Sequence, residues 1–304
     1  MMGLLFAGGL AGLYFGGDWL VRGAAALAAR FRVPPLVIGL TIVGFGTSTP
    51  ELLVSVDAAL RGAPGIAIGN VVGSNIANIL LILGLSAVVG PLAAPFAGLR
   101  RDLGWMIAAA ILCLPLFWNG AVGRVEGAVL ATGIALYLVQ GFRQVGTGAA
   151  PEPAIMAPWR ALFLIGAGLV ALMLGARALV DSASAAARLV GISEAVIGLT
   201  VVAVGTSLPE LATSVTAALR GRRDIALGNV IGSNVFNVFA ILGATALIAP
   251  IPVEARFLSV DVPTMIAVSL GLTALLWWRG GLGRGAGAAL LLLYAAYIGA
   301  MAAI

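Results

Sequence analysis

GLTIVGFGTSTPELLVSVDAALRGAPGIAIGNVVGSNIANILLILG, residues 39–84, recurs as GLTVVAVGTSLPELATSVTAALRGRRDIALGNVIGSNVFNVFAILG, residues 198–243. A shift of 159 residues superimposes the two segments without a gap, and 29 of the 46 positions are identical. Chance does not produce such a match, so the chain is an internal duplication. Each copy sets a proline and a carboxylate inside an apolar run: GTSTPE at 46–51 and GTSLPE at 205–210. Both residue types are unfavourable in a membrane helix, so each motif demands a compensating partner.

The apolar run is not local. Of 304 residues, 61% are hydrophobic and only 10% charged, with a mean hydropathy of +1.11. A soluble domain carries about 25% charged residues, so this composition is that of an integral membrane protein. The net charge of +5 comes from 17 cations, all Arg, placed singly or in pairs between apolar segments. That distribution anchors loops and gives no basis for nucleic-acid binding. Cys113 is the single cysteine, which excludes an intrachain disulfide, and the absence of His removes the usual transition-metal ligand and proton shuttle. The N-terminus lacks the positive n-region of a signal peptide and reads as the first span.

Runs of about 18–25 apolar residues suit helices crossing a hydrocarbon core roughly 30 Å thick. They place spans near 3–29, 36–60, 66–90, 102–119, 123–143, 160–187, 194–219, 225–249, 260–278 and 285–304. Pro34-Pro35, Gly62–Gly65, Pro91, Pro95, Pro250 and Pro252 punctuate the turns. The expected architecture is therefore an all-α integral membrane protein of ten transmembrane helices in a lipid bilayer. Its parts are a five-helix repeat at 1–145, a linker at 146–158 and a second five-helix repeat at 159–304. Five spans per half reverse the second half across the membrane, which makes the repeat an inverted one. With both termini outside, eleven arginines (30, 32, 100, 101, 143, 160, 220, 222, 223, 279 and 284) fall at cytoplasmic ends. Only Arg61, Arg124, Arg188 and Arg256 then fall outside. The positive-inside rule thus predicts a cytoplasmic linker.

Two polar clusters interrupt the helices of each repeat. Thr47, Ser48, Pro50 and Glu51 are echoed as Thr206, Ser207, Pro209 and Glu210. Asn70, Ser74, Asn75 and Asn78 are echoed as Asn229, Ser233, Asn234 and Asn237. Helical spacing puts Thr47 and Glu51 on one face, and Ser74 and Asn78 on another. Pro50 cannot donate to the Gly46 carbonyl, so carbonyls around Gly46, and around Gly205 near Pro209, are freed toward a ligand. Every donor in the set is oxygen, which suits a hard cation such as Ca²⁺ or Na⁺ and argues against zinc or copper. Each ionised residue near a helix centre costs about 2.5–3.5 kcal/mol. A bound cation offsets that cost for Glu51 and Glu210, and protonation is the other route. Asp57, matched by Thr216, is expected near a helix end; Asp18/Arg22 and Arg177/Asp181 read as self-neutralising pairs or interhelix links.

GTSTPE with GNVVGSNIAN, then GTSLPE with GNVIGSNVFN, resembles the two α-repeats of the calcium/cation antiporter superfamily, most of all prokaryotic sodium/calcium exchangers. The resemblance implies helices 2, 3, 7 and 8 as the core, with helices 1 and 6 sliding across it. It implies Glu51 and Glu210 as central Ca²⁺ ligands. Thr47, Ser48, Thr206, Ser207, Ser74 and Ser233 would serve Na⁺ or Ca²⁺ through hydroxyl or backbone oxygens, with Asn78 and Asn237 completing the cluster. Many sodium/calcium exchangers carry an aspartate at the place of Asn237, so this site has two carboxylates instead of three. The short linker lacks the calcium-sensing insert of animal exchangers, and no cytosolic Ca²⁺ regulation is expected.

The resulting expectation is a secondary antiporter exchanging Na⁺ for Ca²⁺ in a prokaryotic inner membrane, with a monomer as the functional unit and no cofactor. A Ca²⁺/H⁺ antiporter on the same scaffold is the alternative, with Glu51 and Glu210 carrying protons. A channel is disfavoured because filters commonly assemble around an oligomer axis, whereas this site is duplicated within one chain. An intramembrane enzyme lacks its motifs: there is no HExxH and no His for a serine dyad.

Overall fold

The structure is a computed structural model that describes residues 2–31, 35–93, 96–142, 156–189 and 203–302. The expected turn residues Pro34 and Pro95, linker residues 146–155 and the opening of the expected span at 194–202 lie outside the described residues.

The first half begins with α1 (Met2–Phe31), whose last turn carries Arg30 against the helix dipole. Next, α2 spans 35–47 and passes through a π-helical stretch at Gly39–Val43 before ending at Thr47. At Ser48 (φ −82°, ψ 7°) the backbone leaves the helical conformation, and α3 (Thr49–Leu60) restarts with Pro50 in its first turn. The expected continuous span at 36–60 is thus two helices meeting at Ser48. The reason is local: proline supplies no N–H to the turn before it but is tolerated at a helix start.

Then follow α4 (Pro64–Val89), α5 (Phe96–Phe117) and α6 (Arg124–Phe142). α5 starts six residues before the expected 102, because nothing in Phe96–Arg101 breaks a helix even though Arg100 and Arg101 are too polar for a span. The second half holds α7 (Pro158–Leu189), α8 (Ala203–Thr206) and α9 (Leu208–Leu219), the last two separated at Ser207 (φ −88°, ψ 4°). It closes with α10 (Arg223–Ile248), α11 (Phe257–Arg279) and α12 (Arg284–Ala302). Gly62 (φ 72°) and Gly221 (φ 70°) take the left-handed conformation that turns α3 into α4 and α9 into α10.

Six helices among the described residues are long and apolar enough to cross a membrane: Gly3–Phe31, Pro64–Val89, Pro158–Ala186, Arg223–Ile248, Phe257–Arg279 and Arg284–Met301. α2–α3 misses that standard because Ser48 divides it into short pieces. α5 carries Arg100, Arg101 and Asp102, and α6 opens on Arg124 and Glu126.

α4 and α10 form the centre. Each is 78% buried over its most apolar stretch, against 11% for Arg284–Met301. Ile68, Val71, Ile76, Ile79 and Ile82 of α4 are fully enclosed, as are Ile225, Leu227, Val230, Val235 and Leu242 of α10. A helix apolar on all sides belongs in such an interior. The periphery is the opposite: Leu4, Phe163, Leu174 and Leu292 lie exposed on α1, α7 and α12, with Trp118, Trp277 and Trp278 exposed at helix ends. An apolar belt edged by tryptophans is the surface of a protein that sits in lipid.

α1 packs along α7 through facing glycines. A Cβ on Gly12 would stand 3.0 Å from the Gly175 Cα, and one on Gly16 would stand 2.9 Å from the Gly168 carbonyl oxygen. The backbones touch only because no side chain intervenes. Four two-residue strands, which the sequence reading did not contain, tie the halves together. β1 (Leu92–Ala93) pairs antiparallel with β4 (Gly281–Leu282), and β2 (Ala121–Val122) with β3 (Ile251–Pro252).

Candidate cation site

The two helix breaks meet at the centre of the molecule. Glu51 stands in the first turn of α3 and Glu210 in the first turn of α9. There the unpaired N–H groups and the helix dipole favour an anion by about 0.3–1 kcal/mol. Both glutamates are 1% exposed, and neither forms a salt bridge with any described residue.

Their partners come from opposite halves. Ser48 Oγ donates to Glu210 Oε1 at 2.9 Å, and Ser207 Oγ donates to Glu51 Oε1 at 3.4 Å. Each serine is the residue at the break, and its hydroxyl reaches the carboxylate opposite. Ser207 Oγ also lies 3.4 Å from Ser74 Oγ, which draws α4 into the site. Ser233 Oγ, on α10, donates to the Gly44 carbonyl at 3.5 Å.

Thr47 and Thr206 reach across as well. Thr47 Oγ1 lies 3.1 Å from both the Val43 carbonyl and Asn229 Oδ1, while Thr206 Oγ1 lies 3.5 Å from Asn70 Oδ1. Asn70 and Asn229 in turn hold the backbone beside the acids. Asn70 Nδ2 donates to the Glu51 carbonyl at 3.0 Å and to Ser55 Oγ at 2.9 Å. Asn229 Nδ2 makes the same pair of bonds to the Glu210 carbonyl at 3.2 Å and to Ser214 Oγ at 2.9 Å.

Asn78 and Asn237 complete the arrangement from α4 and α10. Each is 1% exposed, and each opens a π-helical stretch, Asn78–Ile82 and Asn237–Leu242. Such bulges commonly mark functional positions because they rotate the side-chain phase of the helix. Asn78 Nδ2 donates to Asn234 Oδ1, and Asn237 Nδ2 to Asn75 Oδ1, both at 2.9 Å.

Among the described residues, four buried oxygens of this neighbourhood have no hydrogen-bond partner: Glu51 Oε2, Glu210 Oε2, Asn78 Oδ1 and Asn237 Oδ1. Leaving a buried acceptor unpaired costs about 1–3 kcal/mol, more for a charged group. These four, two from each half, are oxygens of the kind a hard cation takes as ligands. Among the described residues no group of three or more His, Cys, Asp or Glu is gathered anywhere. The donor set mixes carboxylate, amide and hydroxyl oxygens, with a charge of −2 when both glutamates are ionised.

All ten residues named as ligands from the sequence are buried and belong to this hydrogen-bonded neighbourhood. Asn70, Asn229, Asn75 and Asn234 stood in the polar clusters but outside that ligand set, and Ser55 and Ser214 were not singled out. Their signal was present: all three pairs are identical polar residues at matched places in two otherwise apolar segments. Asp57 lies at the exposed end of α3, paired with Arg61 at 2.7 Å, away from the site.

The profile of the family described as "Sodium/calcium exchanger protein" matches residues 2–142 and 160–302. The chain is 38% identical to the inner membrane protein YrbG of Escherichia coli, over 89% of this chain and 87% of that one. It is 34% identical to the sodium/calcium exchanger MaX1 of Methanosarcina acetivorans, over 95% of each. Among solved structures, the sodium-calcium exchanger NCX_Mj soaked with Na⁺ and Sr²⁺ superimposes with a TM-score of 0.86 at 35% identity, covering 98% of both chains.

Proposed function

This chain belongs to the sodium/calcium exchanger protein family of membrane transporters, and we propose that it is a secondary active antiporter that exchanges Na⁺ for Ca²⁺ by alternating access. The observation that carries this reading is the set of four unpartnered buried oxygens on Glu51, Glu210, Asn78 and Asn237. Two carboxylates match the charge of one Ca²⁺. Serine hydroxyls and freed carbonyls at the two breaks add the neutral oxygens that Na⁺ and Ca²⁺ both accept.

Exchange follows from electrostatics. Two bare carboxylates in a water-poor interior cost about 5–7 kcal/mol on insertion scales. A site in that state resists the passage between outward and inward access, whereas a site filled by cations does not. Each crossing is then made loaded, and one ion leaves only as another replaces it.

The scaffold is ten helices in two inverted five-helix repeats, with domains at 1–145 and 159–304. Two features support this. Equivalent residues make equivalent bonds in each half, as Asn70 and Asn229 do. Each strand pair also joins a loop of the first half to one of the second, as halves of opposite orientation require. The arginine distribution supports both termini outside and the 146–158 linker in the cytoplasm of a prokaryotic cell. A monomer as the working unit is in keeping with a site whose two halves are duplicated within one sequence.

The test is Ca²⁺ uptake into Na⁺-loaded proteoliposomes, followed with radioactive Ca²⁺. Uptake that depends on the Na⁺ gradient is expected, and its absence overturns the reading. Uptake driven instead by a pH gradient in Na⁺-free buffer assigns the protein to Ca²⁺/H⁺ exchange.

A further inference from the structure

A cation site built from asparagine works only when each amide presents its oxygen, and an amide has two ends of nearly equal shape. In this protein the orientation of Asn78 and Asn237 is dictated from outside the ligand set. Asn75 Nδ2 donates to the backbone carbonyl of Asn234 at 3.2 Å and points its other hydrogen toward Met265 Sδ at 3.4 Å. A carbonyl oxygen can only accept, so the nitrogen end of Asn75 has to face it. The oxygen end of Asn75 therefore faces Asn237, whose Nδ2 donates to it at 2.9 Å. Asn237 Oδ1 is then the end left over, buried and without a hydrogen-bond partner among the described residues.

The second half repeats this chain of bonds with the roles exchanged. Asn234 Nδ2 donates to the Asn75 carbonyl at 3.3 Å and faces Met106 Sδ at 3.6 Å, and Asn234 Oδ1 receives Asn78 Nδ2 at 2.9 Å. Asn78 Oδ1 is again the end without a partner among the described residues. Both anchoring residues are nearly inaccessible, Asn75 at 3% and Asn234 at 1% exposure, so water does not substitute for the missing bonds.

We propose that Asn75 and Asn234 are positioning residues that set ion affinity by holding the amides of Asn237 and Asn78 oxygen-first toward the cation. The proposal rests on the exchanger reading above and names the control of that same site. Its particular feature is that each relay crosses between halves: Asn75 governs Asn237 on α10, and Asn78, three residues away on its own helix, is governed by Asn234. Without its anchor a ligand amide turns freely, and its NH₂ end repels the cation.

Double-variant cycles on the apparent Ca²⁺ KM of uptake test the crossing. Asn75→Leu is expected to raise KM about tenfold with little change in maximal rate. Combined with Asn237→Ala it adds nothing further, because the amide it orients is gone. Combined with Asn78→Ala the two effects multiply. Asn234→Leu shows the mirror pattern, non-additive with Asn78→Ala and multiplicative with Asn237→Ala. A general packing role for Asn75 gives no such crossed selectivity. Multiplicative effects in the Asn75/Asn237 cycle, or coupling to Asn78 as strong as to Asn237, overturn the proposal. If a leucine variant is not monodisperse, Asn75→Ser and Asn234→Ser enter the same cycles. Wild-type protein that takes up no Ca²⁺ overturns the exchanger reading itself, whereas additive cycles on an active wild type overturn the relay alone.

Discussion

Asp18, buried on α1, is ion-paired with Arg220 at the C-terminal end of α9. Arg22 supports the same carboxylate from one turn away at 3.6 Å. A shift of 159 residues carries Asp18 onto Arg177 and Arg220 onto Arg61, so the matching contact would set cation against cation. Those two arginines pair locally instead, Arg177 with Asp181 at 3.9 Å and Arg61 with Asp57 at 2.7 Å. The duplication is thus broken electrostatically: α1 is tied to the opposite half by an ion pair, and α7 has no counterpart at the matching place.

Removing Arg220 leaves Asp18 with Arg22 alone in a buried setting. Arg220→Ala is expected to destabilise by about 1–3 kcal/mol, read as a lower thermal midpoint in detergent. Asp18→Asn in the same background should restore part of the loss, since it removes the charge that lacks its partner. A double variant less stable than Arg220→Ala would contradict this account.

Glu51→Gln and Glu210→Gln each remove one of the two charges while keeping shape. Ca²⁺ uptake into Na⁺-loaded proteoliposomes should fall at least a hundredfold for either variant, with normal expression and folding. Near-normal uptake by either would mean that its carboxylate does not hold the cation.

Ser48→Ala withdraws the 2.9 Å bond to Glu210, and Ser207→Ala the 3.4 Å bond to Glu51. A hydrogen bond to a charged group contributes about 1.5–3 kcal/mol. The Ca²⁺ KM is therefore expected to rise roughly ten- to hundredfold. The shorter bond predicts the larger effect for Ser48→Ala, and a measured order reversed between the two would refute that ranking.

Asn237→Asp adds a third carboxylate but cannot donate to Asn75 Oδ1 as Asn237 does. The Na⁺ dependence of uptake is expected to change, seen as a shifted half-saturating Na⁺ concentration. An unchanged Na⁺ profile would show that residue 237 has no part in ion coupling.

Gly12→Leu forces a side chain into the α1–α7 contact, where even a Cβ would stand 3.0 Å from Gly175. Overpacking of this kind costs about 1–3 kcal/mol. Lower stability and slower transport are expected together, whereas Gly98→Leu, where a Cβ meets nothing within 4 Å, should leave both unchanged.

Much of this molecule was decided residue by residue along the chain. Membrane residence follows from composition, because charge is too sparse for a soluble surface. The breaks at Ser48 and Ser207 follow from Pro50 and Pro209, because a missing N–H acts within one turn wherever the helix is placed. Glu51 and Glu210 stood out as candidate site residues because an acid inside an apolar span is costly in any fold.

Tertiary structure decided what depends on the rotation and register of helices far apart in sequence. It assigned Ser48 to Glu210 and Ser207 to Glu51, across 162 and 156 residues. It also gave Asp18 its partner on α9 and joined the amides of Asn78 and Asn237 to Asn234 and Asn75 of the opposite halves. The π-helical stretches at Asn78 and Asn237 belong with these. No propensity along the chain encodes them, because the phase they introduce has meaning only against the helix on the other side of the site.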